Sequence, residues 1–236
     1  MAQREGNAAQ ALQIVPFFAN LPEEEASELA RRLIPRRFSV GQVIFHLGDP
    51  GGLLYIVSRG KVKISHTTPE GQEAVLAILG PGEFFGELAL LDDSPRSATA
   101  VALEPSETLT LHREDFIHYL MGNPEFALQV LKTLAHHIRR LNIQLADIFF
   151  LDLPGRLART LLNLADQYGR PTEAGTVIDV SLTQTDLAEM TGATRVSINK
   201  ALGRFRRSNW VQVNGRRFTI VNREALQALI EVSGGE

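Results

Sequence analysis

The 236-residue chain contains no cysteine. Disulfides, thiolate catalysis, zinc fingers and cysteine-ligated iron–sulfur clusters are therefore excluded together. No run of 18 apolar residues is present, so the sequence offers no transmembrane helix. Met1–Gln10 carries Arg4, Glu5 and Asn7 and lacks the apolar stretch of a signal peptide. A cytoplasmic location and no membrane partner are the expectation. The sequence has no nucleophile elbow, Walker loop or His-Glu-x-x-His motif, so an enzyme is not expected. Of the six histidines no two stand four residues apart, and the adjacent His136 and His137 face different ways on a helix. No metal site, and no haem, is expected from them. What remains is an ordinary globular composition, 44% hydrophobic and 22% charged, long enough for one large domain or two modest ones.

The net charge of −3 hides an asymmetry. Residues 1–154 carry 13 Lys/Arg against 19 Asp/Glu, whereas residues 155–236 carry 11 against 8. Thr194–Arg217 holds Arg195, Lys200, Arg204, Arg206, Arg207, Arg216 and Arg217 with no acid among them. Such a field suits a polyanion. Lys and Arg are also ordinary surface residues, so the neighbours of this run decide its meaning.

The pattern predicts an α+β chain in three blocks. Phe38–Phe45, Leu53–Val57, Lys61–His66, Glu73–Leu79 and Ala98–Leu111 are β-rich runs punctuated by glycines, the pattern of an antiparallel roll or barrel resembling a jelly roll. Helical pieces precede them, with Pro22–Leu33 among them. In the second block Ala127, Leu131, Leu134, Ile138, Leu141, Leu145 and Ile148 are spaced alternately by four and three residues. This heptad seam predicts a helix that pairs with a second copy, giving a homodimer, in preference to a long helix packed on its own domain. Leu153-Pro-Gly155 then marks a hinge before an amphipathic helix over Arg156–Tyr168.

The third block reads as a helix-turn-helix. Thr183 is an N-cap with Asp186 at capping-box distance, and Gly192 suits the left-handed residue that ends a helix. A second cap at Thr194 opens a helix whose inward face is Ile198, Ala201, Leu202 and Phe205. Its other face presents Arg195, Val196, Ser197, Asn199, Lys200 and Arg204. Short helix, glycine turn and basic helix are the elements that place a recognition helix in the major groove of double-stranded DNA. Asn214-Gly215 between alternating runs predicts a hairpin wing bearing Arg216 and Arg217. Arg195 has the fork to pair with guanine, Val196 suits a thymine methyl, and Ser197, Asn199 and Lys200 can add base or phosphate contacts. Thr183 and Gln184 are candidates for backbone phosphates.

In the first block, Pro81–Ala100 carries the strongest chemistry. The glycines of Gly80–Gly86 have the wrong spacing for a dinucleotide loop. Gly86 lets the backbone approach a ligand, and a helix starting at Glu87 would aim the N–H groups of Leu88 and Ala89 at an anion. Arg96 supplies a planar cationic fork for phosphate oxygens, and Glu87 an acceptor for a sugar hydroxyl. Read without the rest, Glu87 and Arg96 also fit a plain surface ion pair.

Phe85-Gly-Glu-Leu-Ala-Leu-Leu followed by Pro95-Arg-Ser-Ala-Thr-Ala resembles the phosphate-binding cassette of cyclic-nucleotide-binding domains. With the long helix, Phe150-Leu-Asp-Leu-Pro-Gly-Arg-Leu-Ala and the helix-turn-helix, the order resembles the cyclic-AMP receptor protein/fumarate-nitrate regulator (Crp/Fnr) family from about Phe17 to Val221. The resemblance implies a nucleotide-binding roll over 1–123, a dimer helix and hinge over 124–152 and a winged DNA-binding domain over 153–236. It implies that Gly86, Glu87, Leu88 and Ala89 cradle ribose and cyclic phosphate, that Arg96 and Ser97 bind phosphate oxygens, and that Val62 and Ile64 line the base pocket. Asn142 matches a base-contacting position of the long helix, whereas Leu141 stands where the family usually has Thr or Ser. Val196 departs from the usual acidic residue, so the operator should differ at that base. The expected protein is a regulator controlled by cyclic AMP, with cyclic GMP as the other candidate ligand, that meets a pseudo-palindromic operator and RNA polymerase. Alternatives are a relative that needs no ligand or senses another effector, and a nucleotide-binding adaptor that does not bind DNA.

Overall fold

The computed structural model describes residues 23–233. The chain divides into two compact units, Met1–Ile138 and Arg139–Glu236. The division falls within the long helix.

The first unit opens with α1 (Glu23–Arg32) and continues through β1 (Ile34–Phe38), β2 (Val43–Phe45), β3 (Leu53–Arg59), β4 (Val62–Thr67), β5 (Glu73–Leu79) and β6 (Phe84–Phe85). One helical turn, α2 (Leu88–Leu91), precedes β7 (Thr99–Ala102), β8 (Ser106–His112) and α3 (Arg113–Gly122). Two antiparallel four-stranded sheets result, ordered β1-β8-β3-β6 and β2-β7-β4-β5. Tyr55, Val57 and Phe85 of one and Val62, Leu79 and Ala100 of the other form a common core, as expected of a roll. A second core joins Leu54, Ile56, Leu109 and Leu111 to Leu29, Leu90, Phe116, Phe126 and Val130 on the helices.

Two expected strands are each broken. Phe38–Phe45 splits at a turn closed by Gln42 N–H to Ser39 O, and Ala98–Leu111 at Leu103–Pro105, where proline cannot donate to a ladder. The helix expected from Pro22 is described from Glu23.

The long helix α4 (Pro124–Phe150) is continuous. Asn123 Oδ1 accepts from Phe126 N–H at 3.0 Å and caps it, and Pro124 takes the first position, where its missing N–H costs nothing. Phe126 and Val130 face the core of the first unit. Leu131, Ile138, Leu141, Leu145 and Ile148 of the heptad are exposed, whereas Leu134 packs against that core. The seam is thus not uniform: one of its leucines is used within the chain.

The second unit contains α5 (Leu153–Tyr168), β9 (Gly169–Thr172), β10 (Gly175–Ile178), α6 (Gln184–Thr191), α7 (Arg195–Arg207), β11 (Val211–Asn214), β12 (Arg217–Ile220) and α8 (Arg223–Ser233). Asp152 Oδ1 caps α5 by accepting from Gly155 N–H at 2.8 Å, so this helix starts three residues before Arg156. Leu157, Leu161 and Leu164 of α5 and Ile198, Leu202 and Phe205 of α7 are buried, and α5 packs on α6, α7 and α8. The sheet order is β11-β12-β10-β9. The hairpin expected at Asn214-Gly215 is β11–β12, in register Asn214↔Arg217. Its partner hairpin β9–β10 and helix α8 were not expected from the sequence.

Candidate functional site

In the first unit the cassette is assembled at the joint between β6, α2 and the loop before β7. Gly86 has φ +83°, a conformation that favours glycine, and a Cβ there would collide with the Arg96 guanidinium. A Cβ on Gly51 would collide with that of Ala89. Both glycines thus allow chain segments to close around one point. Arg96 is only 4% exposed. Its Nη1 donates to Gly86 O at 2.7 Å and its Nη2 to Leu53 O at 2.8 Å. Its Nε is buried and has no hydrogen-bond partner among the described residues. The Arg96 guanidinium carbon lies over the Phe45 ring, 4.3 Å from Cζ to centroid. Burial lowers the Arg96 pKa, against the pull of Tyr55, Glu87 and Asp49.

Glu87 is 7% exposed. Burial raises its carboxyl above the ordinary value, opposed by its own backbone N–H and by the Arg96 charge. It is the residue before α2, whose first i→i−4 bond is Leu91 N–H to Glu87 O. The N–H groups of Leu88 and Ala89 precede that bond, as the first donors of a helix do. The arrangement combines a buried cation with a spare donor, a carboxylate with spare acceptors, and a cradle closed by glycines. A small anion that also carries hydroxyls fits that donor and acceptor set.

Structure separates the other expected pocket residues. Val62 is fully buried in the roll core, whereas Ile64 is half-buried against it, so of the two only Ile64 keeps surface for a ligand. Leu88 and Ser97 are exposed. Asn142 is exposed on α4 and belongs to the second unit, whereas Gly86–Ala89, Arg96 and Ile64 belong to the first. The rings of Phe45, Tyr55 and Phe85 were not anticipated. Tyr55 and Phe85 pair across β3 and β6 and stack at 5.1 Å, and Phe45 lies 5.6 and 5.8 Å from them.

In the second unit, Thr183 and Asp186 form a reciprocal capping box. Asp186 N–H donates to Thr183 Oγ1 at 3.0 Å, and Thr183 N–H donates to Asp186 Oδ2 at 2.7 Å. The Thr183 hydroxyl also donates to Asp186 Oδ2 at 2.6 Å. That hydroxyl, expected to anchor a phosphate, is engaged within the helix cap; Gln184 beside it is half-buried. Gly192 ends α6 with φ +64°, and Thr194 caps α7 by accepting from Ser197 N–H at 3.2 Å. Ser197 Oγ lies 2.9 Å from Thr194 Oγ1, so this side chain too serves the cap. Arg195, Asn199, Lys200 and Arg204 stand exposed along α7, and Val196, 64% exposed, stands among them. An exposed β-branched side chain in a basic row is the arrangement expected for a thymine methyl. Arg216 and Arg217 are exposed at the wing.

Among the described residues no helix is long and apolar enough to cross a membrane. Residues 35–123 match the cyclic nucleotide-binding domain family and residues 155–229 the Crp-like helix-turn-helix domain family. The CRP-like cAMP-activated global transcriptional regulator of Mycobacterium tuberculosis is 35% identical over 210 residues, 89% of this chain and 94% of the relative. The global nitrogen regulator of Synechococcus elongatus is 32% identical over 192 residues, 80% of this chain and 86% of the relative. The crystal structure of a CRP-family transcriptional regulator from Thermus thermophilus superposes with a TM-score of 0.72 at 26% identity, covering 83% of this chain and 96% of the other. Both domain families match this chain, one after the other, and the chain belongs to the Crp/Fnr family of DNA-binding transcription regulators, a family of regulators and not of enzymes.

Proposed function

We propose that the protein is a cytoplasmic, homodimeric regulator whose affinity for a pseudo-palindromic operator is set by cyclic AMP. The observation that carries the reading is Arg96: a cation 4% exposed, held by two backbone carbonyls, with Nε left without a partner among the described residues. Burying such a group is costly unless an anion completes it. In this reading Arg96 and Ser97 take the phosphate oxygens, Gly86–Ala89 closes on ribose and phosphate, and the Glu87 carboxylate accepts from the ribose hydroxyl. Ile64 faces the base, and Asn142 supplies a polar contact from the long helix. The exposed Leu131, Ile138, Leu141, Leu145 and Ile148 support pairing with a second copy, because an apolar row of this length left in water is unfavourable. The division into a roll over 1–123, a dimer helix over 124–152 and a reader over 153–236 is part of the same proposal.

On the DNA side, Arg195 pairs with a guanine, Val196 meets a thymine methyl, and Asn199, Lys200 and Arg204 add base and phosphate contacts. Two recognition helices on a dimer reach major grooves about 34 Å apart. RNA polymerase is the partner on which the bound dimer acts. Ligand changes DNA affinity only if it binds the DNA-competent form more tightly than the other.

A second reading, a different effector in the same fold, is favoured by Leu141, an exposed apolar residue where a base-contacting hydroxyl is usual in the family. A 32%-identical relative bears a name that mentions no nucleotide. One experiment separates the two. DNA fragments selected from a random pool by the full-length protein are titrated with and without cyclic AMP, for wild type and Arg96→Lys. The proposal expects tighter binding with cyclic AMP for wild type only. Equal affinity in both conditions overturns it.

A further inference from the structure

The cation of the cassette is seated on an aromatic ring that no part of the reading above uses. Phe45 is the last residue of β2 and is half-buried. Its ring is 4.3 Å from Arg96 Cζ, while Tyr55 is 5.7 Å away. Phe45, Tyr55 and Phe85 pack as a trio, with centroids 5.1–5.8 Å apart. Phe45 thus packs against a stacked pair fixed in the β3–β6 ladder.

Guanidinium geometry gives this position a consequence. All five N–H bonds of the group lie in its plane, and its two faces have none. Two edges are taken by Gly86 O and Leu53 O, and the Nε N–H has no partner among the described residues. A ring beneath the guanidinium carbon attracts the cation through its quadrupole without using an N–H. The ring consumes none of the in-plane donors, which leaves the buried Nε N–H for an anion. A second carbonyl or a carboxylate in the same place would instead consume them.

We infer that Phe45 is a positioning residue for nucleotide binding: by cation–π stacking it holds the Arg96 fork flat and desolvated, its remaining donors turned to the cyclic phosphate. The inference rests on the proposal that Arg96 binds that phosphate. Phe45 touches Arg96 and not the phosphate itself, so its effect passes through the orientation of the arginine.

Calorimetric titration of the full-length protein with cyclic AMP tests it, for wild type, Phe45→Leu, Phe45→Met and Phe45→Tyr, each with its ligand-free melting temperature. Leu and Met keep most of the volume and lose the quadrupole; Tyr keeps both. The expected result is that the two aliphatic variants bind about tenfold more weakly while Phe45→Tyr stays within about twofold of wild type. Melting temperatures stay grouped, because packing is conserved. Wild-type affinity in the aliphatic variants overturns the inference. So does an equal loss in Phe45→Tyr, or a loss that follows the melting temperature, since either assigns Phe45 to packing alone. A wild type that binds no cyclic AMP sinks the reading of the pocket itself, and this inference with it.

Discussion

The cassette keeps Arg96 and Glu87 inside the protein, whereas α7 leaves Arg195, Asn199, Lys200 and Arg204 in solvent. Both regions are candidates for meeting phosphate, so the difference reflects the partner and not the chemical group. A small anion can be enclosed. One cation, fixed by Gly86 O and Leu53 O and covered by a ring, then acts at low dielectric, where a single charge counts for much. A duplex cannot be enclosed. It is met by many exposed charges, each weak in water and together strong because counterions are released.

Salt separates the two designs most sharply. If the reader and its partner copy neutralise six to ten phosphates, operator affinity should fall by roughly a thousandfold to a hundred-thousandfold between about 50 and about 200 mM salt. Cyclic AMP affinity should change by less than about threefold over the same range, because its cation is shielded from the ionic atmosphere. Fluorescence anisotropy and calorimetry in matched buffers measure both. Similar slopes for the two ligands would show that Arg96 is solvated in solution and would remove the contrast.

Within the reader, the comparison sharpens to a single base pair. Arg195→Ala should cost about 1–3 kcal/mol against the selected site and much less against a site changed at the paired base. A uniform loss across sequences would place Arg195 on phosphate. Val196→Glu restores an acceptor for cytosine and should shift the preferred base beside it. Selection from a random pool by each variant reads both outcomes.

The reader was far more legible in the sequence than the pocket interior. The Thr183–Asp186 box, the left-handed Gly192 and the inward row Ile198, Ala201, Leu202 and Phe205 all involve residues within seven positions of one another. Local spacing therefore carries them. The cassette motif was legible in the same way, as Gly86–Ala89 and Arg96. The ring trio was not, because Phe45, Tyr55 and Phe85 come from three strands and meet only once β3 has paired with β6. Hairpin β9–β10 was hidden for another reason. Its first strand, Gly169–Thr172, contains Pro171 and alternates no apolar residues, so tertiary pairing with Gly175–Ile178 overrides a weak local preference. Spacing revealed the heptad but not that Leu134 would be used by the core of its own unit.

The smallest expected effect tests the other buried charge. Burial raises the Glu87 pKa, so the fold favours its protonated form. The stability this group contributes is fully present below the ordinary glutamate value, about 4.3, and is lost as pH rises through the raised value. Acidification should therefore raise the melting temperature of the ligand-free wild type relative to Glu87→Gln. Nucleotide binding should respond in the opposite direction. If a ribose hydroxyl donates to the ionised carboxylate, as proposed, cyclic AMP affinity should weaken a few-fold as pH falls through the same window, and Glu87→Gln should flatten that dependence. Parallel pH curves for wild type and Glu87→Gln in both measurements would mean that Glu87 does not change ionisation there. The inward half of the comparison would then rest on Arg96 alone, since a carboxyl that stays charged without cost in the ligand-free protein behaves as a surface group does.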